Sequence, residues 1–308
     1  MKTGLSTRLA WQRKMLRQGL ASALDPNADD LLIQVQRKLA LDARRHPAKS
    51  GTGPRVFAQY MTAAQFAASL PGPARVLELG RGYSTVALSW SLPPDALLVS
   101  VDAKPVSAYD IHTPLARLAE RVRFEDGFTI TGEQMGRAYE PRALTDLLGP
   151  GDALRRALPD FLVPAQSPYA GALGLNGMDA EALARACLER MFQGGEVLGP
   201  DRLLPEMYAR DSRFVAPGPP SVLDRLMEEF ESFDAVFFDC GEFSSLPEWT
   251  LLSDRIRPGG LAVFHDVYFP KSVKNYLICA AVAASADWEI LYRDRSTPQG
   301  LVVARRRG

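Results

Sequence analysis

Seven short runs rich in branched and aromatic residues punctuate this chain: RVLEL (75–79), LLVSVD (97–102), RVRFED (121–126), FDAVFFD (233–239), GLAVFHD (260–266), WEILYRD (288–294) and GLVVARR (300–306). Apolar runs of about 4–8 residues are strand length, and helical or loop segments separate most of them. Strands that alternate with helices pair in parallel and are covered on both faces, so the alternation predicts an α/β fold around a mainly parallel sheet. Only RSTPQ joins the last two runs. That spacing suits an antiparallel hairpin at one sheet edge.

The intervals divide the chain. Residues 5–45 read as helical, with Leu31, Leu32, Val35 and Leu39 at helical spacing after the capping residues of DPNADD. HPAKSGTGP (46–54) is a predicted loop, and RVFAQYMTAAQFAASL a predicted helix stopped by PGP at 71–73. Between the third and fourth runs lie about a hundred residues, where a crossover needs roughly a dozen. Pro- and Gly-rich pieces alternate there with the helix-like AEALARACLERMF. A structureless loop of that length is improbable, so the interval is expected to carry its own helices and to act as a lid, a substrate wall or a homodimer contact. The expected organisation is a helical N-terminal extension over 1–54, a sheet domain over 55–130 and 231–308, and an insertion over 131–230.

Composition narrows the function. Hydrophobic residues at 46% and charged residues at 23% allow a sizeable core. Lys plus Arg and Asp plus Glu number 36 each, so no global field draws the chain to nucleic acid or to an anionic membrane. No stretch approaches about 20 uninterrupted apolar residues, so no membrane span is expected. Cys187, Cys240 and Cys279 lie far apart and make no disulfide framework, which fits a reducing cytoplasm. His46, His112 and His265 are too scattered for a histidine-rich metal site, although one of them can join carboxylates.

The stretch ARVLELGRGYSTVALSW (74–90) carries the first chemistry. Gly80 and Gly82 allow a tight turn and close approach of a ligand, and a side chain at Gly80 is expected to fill the ligand's path. A helix starting near Ser84 and Thr85 offers free N–H groups. Asp102 ends the next run, where a carboxylate can hold a ribose diol. Together these features imply an adenosine-type ligand. A dinucleotide fingerprint would place a third glycine where Thr85 stands. The acid Glu78 ahead of the turn would also repel a pyrophosphate and favours a ligand bearing an amino cation.

VLELGRGYST followed by VSVDAKP resembles motifs I and II of the class I S-adenosylmethionine-dependent methyltransferases. FDAVFFDCGEFSSLPEW, the IRPGG turn and GLAVFHD resemble motif IV and strand 5 of the same family, and GLVVARR its final strand. The resemblance covers roughly 55–130 and 230–306. It implies a Rossmann-like, seven-stranded, mainly parallel sheet with an antiparallel last strand, and S-adenosylmethionine (SAM) as cofactor. It further implies Glu78, Gly80, Gly82 and Ser84 around the amino-acid part of SAM, Asp102 on the ribose, and Asp126 near the adenine, while Tyr83 either covers the cofactor or lines the acceptor pocket. Asp126 can equally be a turn former before Gly127.

Asp239 ends the fourth run, and His265 and Asp266 end the fifth. Ligands of open α/β sheets bind beyond the carboxyl ends of the strands, so these three residues are expected to converge there as the catalytic group. Two carboxylates and an imidazole can form a divalent-metal site. The resemblance to small-molecule O-methyltransferases implies such a metal in several members. Here Val267 stands where a further ligand is usual, and Asp239-Cys-Gly-Glu242 replaces D-x-x-H. Without a metal, His265 is a candidate general base; alternatively, His265 and Asp266 only orient the strand-5 loop. Cys240 is read as packing. Trp249, Tyr268 and Phe269 flank the acidic strand ends and are either core or an aromatic wall for a sulfonium.

The expected activity is methyl transfer from SAM to a small-molecule acceptor, at a hydroxyl oxygen. The alternatives are a SAM-fold scaffold without catalysis and an aminopropyl transferase, although DCGEFSSLPEW lacks the run of acids a polyamine would want. Nucleic acid is not an expected acceptor, since no N/D-P-P-Y/F tetrapeptide follows the fourth run.

Overall fold

A computed structural model describes residues 53–109, 115–116, 118–148, 151–194 and 196–308. The extension expected over 1–54 lies outside the described residues except for its last two positions, and His46 and His112 lie outside them as well.

The first described helix, α1 (Gly53–Ala68), buries Phe57, Tyr60, Met61, Ala64 and Ala67 along one face. That 3–4 spacing is the apolar stripe that made the segment legible as a helix. The strands follow as β1 (Arg75–Leu79), β2 (Leu97–Asp102), β3 (Val122–Asp126), β4 (Phe233–Phe238), β5 (Ile256–His265), β6 (Trp288–Asp294) and β7 (Leu301–Arg306). They form one sheet in the order β3-β2-β1-β4-β5-β7-β6. The pairs from β3 through β5 are parallel, and β7 runs antiparallel to both β5 and β6. The last strand is thus the single reversed one, and the β6–β7 hairpin closes the edge as expected.

Side chains alternate between the two faces of the sheet. On one face Val76, Leu98, Ala235, Phe237 and Val263 pack with α1 and with α2 (Tyr83–Ser91). On the other, Leu77, Val99, Val236, Phe238 and Phe264 pack with α3 (Val222–Glu229), α4 (Ser245–Leu252) and α5 (Tyr276–Ala284). The Phe238 and Phe264 rings stack at 5.1 Å, and Trp249 meets each edge-on. Truncating Phe238 in this cluster would cost about 3–5 kcal/mol.

The interval between β3 and α3 is helical, as its length required. Its helices are Gly132–Ala138, Pro141–Leu148, Gly151–Ala157, Pro168–Ala172, Ala180–Met191, Pro200–Leu203 and Pro205–Asp211, with a two-stranded hairpin of Phe192–Gln193 and Glu196–Val197. Local caps set several starts: Thr131, Ser167 and Asp179 each accept a backbone N–H three residues on. Leu154, Leu158, Phe161, Leu183 and Met191 are buried in the same cluster as the sheet residues Leu77 and Phe238. Gly151–Ala157 and the short turn Leu158–Phe161 pack on α5. The insertion therefore covers one face of the sheet and shares its core. Its base is closed where Ala216 N donates to Ile130 O at 2.8 Å. Among the described residues, no helix is long and apolar enough to cross a membrane.

Candidate functional site

The chain leaves β1 outward through β2 and β3 and returns to β4 on the other side of β1. The carboxyl ends of β1 and β4 therefore flank the switch point, where open α/β sheets bind their ligands. Gly80 follows β1 with φ 95°, and its N–H donates to Val101 O at 2.9 Å. A Cβ on Gly80 would overlap the carbonyl of Asp239. The glycine is thus required by the contact between two strand ends, whereas the sequence had suggested a ligand's path. Gly82 is the position facing open space: a Cβ there would meet nothing within 4 Å, and Gly82 lines the main cavity.

Beneath the turn, Glu78 is fully buried. Its Oε2 accepts from Thr85 Oγ1 at 2.7 Å and from Ser100 Oγ at 2.6 Å, and Gly82 N donates to Thr85 Oγ1 at 3.0 Å. Burial pushes the Glu78 carboxyl up to about 7, against the lowering effect of these hydroxyls. Thr85, which stands where a dinucleotide fingerprint has glycine, is the link between this acid and the turn. Glu78 does not line the cavity.

Arg81, between the two glycines, was not singled out in the sequence. Its guanidinium is buried and donates to Ser100 O, Lys104 O and Glu125 O at 3.1 Å each, and to Asp126 Oδ1 at 2.7 Å. It ties the tips of β2 and β3 to the glycine turn. Asp126, half exposed, is engaged in this clamp and lies outside the cavity lining. Asp102 lines the cavity, its carboxylate fixed by the N–H groups of Arg81 at 3.0 Å and Lys104 at 2.8 Å.

The cavity has a volume of about 970 Å³. It runs from Gly82, Tyr83, Ser84 and Asp102 to Tyr60, Asp239, Glu242 and Lys274. Met135, Asp211 and Phe214 of the insertion complete its wall, and Phe214 is 65% exposed.

At the far end, the expected convergence of Asp239, His265 and Asp266 is present: one ligand atom from each lies within 4.8 Å of the others. Asp239 follows β4 and is paired backward to β1 through its N–H, at 2.9 Å from Leu79 O. Asp266 sits at φ 58°, a left-handed conformation that aspartate tolerates better than most residues. Asn275 joins the two strand ends, its Nδ2 donating to Phe238 O at 3.1 Å and to His265 O at 2.6 Å. Lys274 sits between the acids, with Nζ 2.9 Å from Asp239 Oδ1 and 2.8 Å from Asp266 Oδ2. Tyr60, from α1, donates to Asp239 Oδ2 at 2.6 Å and lies 3.2 Å from His265 Nδ1.

Burial alone would raise the Asp239 carboxyl, but the Lys274 and His265 charges and hydrogen bonds from His265 and Tyr60 hold it well below the usual range. Burial works against a charged His265, yet Asp239 and Asp266 raise its pKa. Burial likewise disfavours the Lys274 ammonium, and Asp239, Asp266 and Glu242 overcome it, so the amine stays charged. His265 is buried and does not line the cavity, whereas Asp239, Glu242, Lys274 and Tyr60 do.

The donor set of the rim suits a divalent ion, but Lys274 Nζ already stands between the two carboxylates within hydrogen-bond reach of both. A metal bonded to those oxygens at about 2.0–2.6 Å would overlap the ammonium. The rim as folded does not fit a metal.

Glu242 also lines the cavity. Its Oε2 accepts from Ser272 Oγ at 2.8 Å and Val273 N at 2.9 Å, and burial raises its carboxyl despite Lys274 nearby. Cys240 lines the cavity floor with a thiol pushed up by burial, which leaves it a poor nucleophile. Trp249, Tyr268 and Phe269 are buried outside the lining and are core. The aromatic side chains that do line the cavity include Tyr60, Tyr83, Tyr109, Phe128, Phe214 and Phe243.

No protein-family model and no curated protein matches the chain. Solved structures similar to it include the O-methyltransferase TomG from Streptomyces achromogenes, involved in tomaymycin synthesis and in complex with SAM (18% identity, 94% of this chain and 95% of that chain, TM-score 0.42). Another is an O-methyltransferase from Bacillus cereus in complex with SAH (14% identity, 94% and 96%, TM-score 0.43). A third is a methyltransferase from Geobacter sulfurreducens (10% identity, 94% and 95%, TM-score 0.43).

Proposed function

We propose that this chain transfers the methyl group of S-adenosylmethionine to a hydroxyl oxygen of a small-molecule acceptor. The observation that carries the reading is the single cavity joining the glycine turn and Asp102 to the acidic rim. Such a cavity holds two ligands end to end, as in-line transfer requires. SAM, when bound, supplies an electrophilic methyl on a sulfonium.

Asp102 holds the ribose hydroxyls, its carboxylate aimed by two backbone N–H groups. Gly82 leaves room for the amino-acid part, and Tyr83 and Ser84 line that end. Glu78 acts from below, fixing the turn through Thr85, and Asp126 acts through Arg81. At the acceptor end, the hydroxyl proton passes to Glu242. Its burial-raised carboxyl is a better base than Asp239, which Lys274 and His265 keep ionised. His265 orients Asp239 and Tyr60 from beneath. Phe243, buried and lining the cavity, keeps water from one side of the reacting atoms.

The test is calorimetric titration with SAM, followed by transfer of radiolabelled methyl from SAM to a panel of hydroxyl-bearing small molecules. Stoichiometric SAM binding with transfer to at least one acceptor is expected. Tight SAM binding without transfer to any would favour the scaffold reading, and no SAM binding would end both.

A further inference from the structure

We propose that Lys274 is a tethered cation standing in the place of a divalent metal, so that the Asp239–His265–Asp266 rim operates with no metal ion. The rim has the composition of a metal site, and its three ligand atoms lie within 4.8 Å of one another. The centre they would share is spanned by Lys274 Nζ, at 2.9 and 2.8 Å from the two carboxylates. These are charge-assisted hydrogen-bond distances, and the ammonium and an ion cannot hold the same oxygens together.

Three features keep the lysine in place. Its side chain is only 9% exposed. Its backbone N–H donates to Ser272 Oγ at 3.1 Å, and that hydroxyl is itself bound to Glu242. Its neighbour Asn275 is anchored to the ends of β4 and β5. Charge points the same way. Two carboxylates face one ammonium and an imidazole 3.2 Å from Asp239 and 3.7 Å from Asp266. The ammonium already lies against both carboxylates, and a dication placed beside it would bring like charges together in a buried site.

An ammonium has three N–H groups, and two are committed to Asp239 and Asp266. The third has no partner among the described residues, and Lys274 lines the cavity. It is available to donate to an oxygen entering there, a role that rests on the methyl-transfer reading; the exclusion of metal does not.

The experiment is Mn²⁺ titration of the full chain, followed by electron paramagnetic resonance. Wild type should show no stoichiometric site. Lys274→Met, which keeps the stem and removes the charge, should gain one Mn²⁺ bound on the order of ten-fold or more tighter than any association with wild type. Adding Asp266→Asn to that variant should abolish the gain. A stoichiometric wild-type site lost in Asp266→Asn overturns the proposal, and so does a folded Lys274→Met that binds no Mn²⁺. Should Lys274→Met fail to fold, ¹⁵N-lysine spectra of wild type decide. A Lys274 Nζ signal unmoved by Mg²⁺ supports the tethered cation, and one displaced by Mg²⁺ overturns it. None of these readouts depends on turnover, so failure of the methyl-transfer reading is separately visible.

Discussion

Gly80 and Asp239 follow neighbouring strands so closely that a side-chain carbon on the glycine would overlap the aspartate's carbonyl oxygen. Gly80→Ala is therefore expected to separate the ends of β1 and β4, at a cost of about 1–3 kcal/mol. The melting temperature should fall by roughly 2–4 °C for each kcal/mol lost. Gly82→Val should behave oppositely, since its side chain enters open cavity. It should leave the melting temperature almost unchanged while weakening SAM binding by about ten-fold or more. Differential scanning calorimetry and titration on both variants separate the two roles. Equal melting losses in both would refute the distinction.

Asp102→Ala removes the carboxylate at the cavity wall and leaves the N–H groups of Arg81 and Lys104 without their acceptor. SAM affinity should drop by about 1–3 kcal/mol, the scale for an unmet polar group. An unchanged dissociation constant would remove Asp102 from the ribose site.

Glu242→Gln should lower the rate of methyl transfer by about 10²-fold while SAM affinity holds, because it deletes the proton acceptor and keeps the shape. In wild type the rate should fall as pH drops through the raised Glu242 pKa, above the ordinary 4.5. The alternative outcome is a Gln variant with full rate and His265→Asn with none, which would return the base to the imidazole. Under either outcome, turnover should survive EDTA.

Glu78 and Glu248 make stability depend on pH. Burial raises both carboxyls from 4.5 to about 7. Between those values the unfolded chain is ionised while the native state keeps its protons, so the native state binds more protons and stability falls as pH rises. Each group accounts for about 3 kcal/mol at most. His265, also raised, acts in the same direction. Thermal melts from about pH 5 to pH 8 should show a decline that is shallower in Glu78→Gln/Glu248→Gln, since each variant removes one of these titrations. Parallel curves would show that the carboxyls are ionised in the native state.

Excision of the insertion with a short linker is expected to unfold the protein. Leu154, Leu158 and Phe161 belong to the sheet's own core, and α5 would lose its cover. A soluble, cooperatively melting deletion variant that still binds SAM would show the insertion to be a separable lid.

The strands were legible because a parallel sheet buried on both faces writes itself as short apolar runs, and β2 spans the expected 97–102. The rim acids were legible because they end such runs. Lys274 and Asn275 were not, because they sit in a loop after β5, where no periodicity marks a residue. Tyr60 was read only as part of a helical stripe, and its hydroxyl meets Asp239 across 179 positions of sequence. Arg81 lay within the most informative motif yet went unremarked, since nothing in the linear order shows an arginine folding back under β2 and β3. Glu78 was legible as an acid, but its burial, which decides its protonation, was not.

The insertion's place in the core has a consequence for how this protein can change. A wall hung on a hinge can be reshaped freely, because its contacts with the body are few. Here Met135 of the wall is itself buried in the sheet's core cluster, together with Leu154, Phe161 and Met191 from other helices and turns of the same insertion. Substitutions that retune the acceptor pocket will therefore register as shifts in folding stability. Diversification toward new acceptors would have to travel with compensating repacking beneath the pocket floor, so that selectivity and thermal tolerance are inherited together.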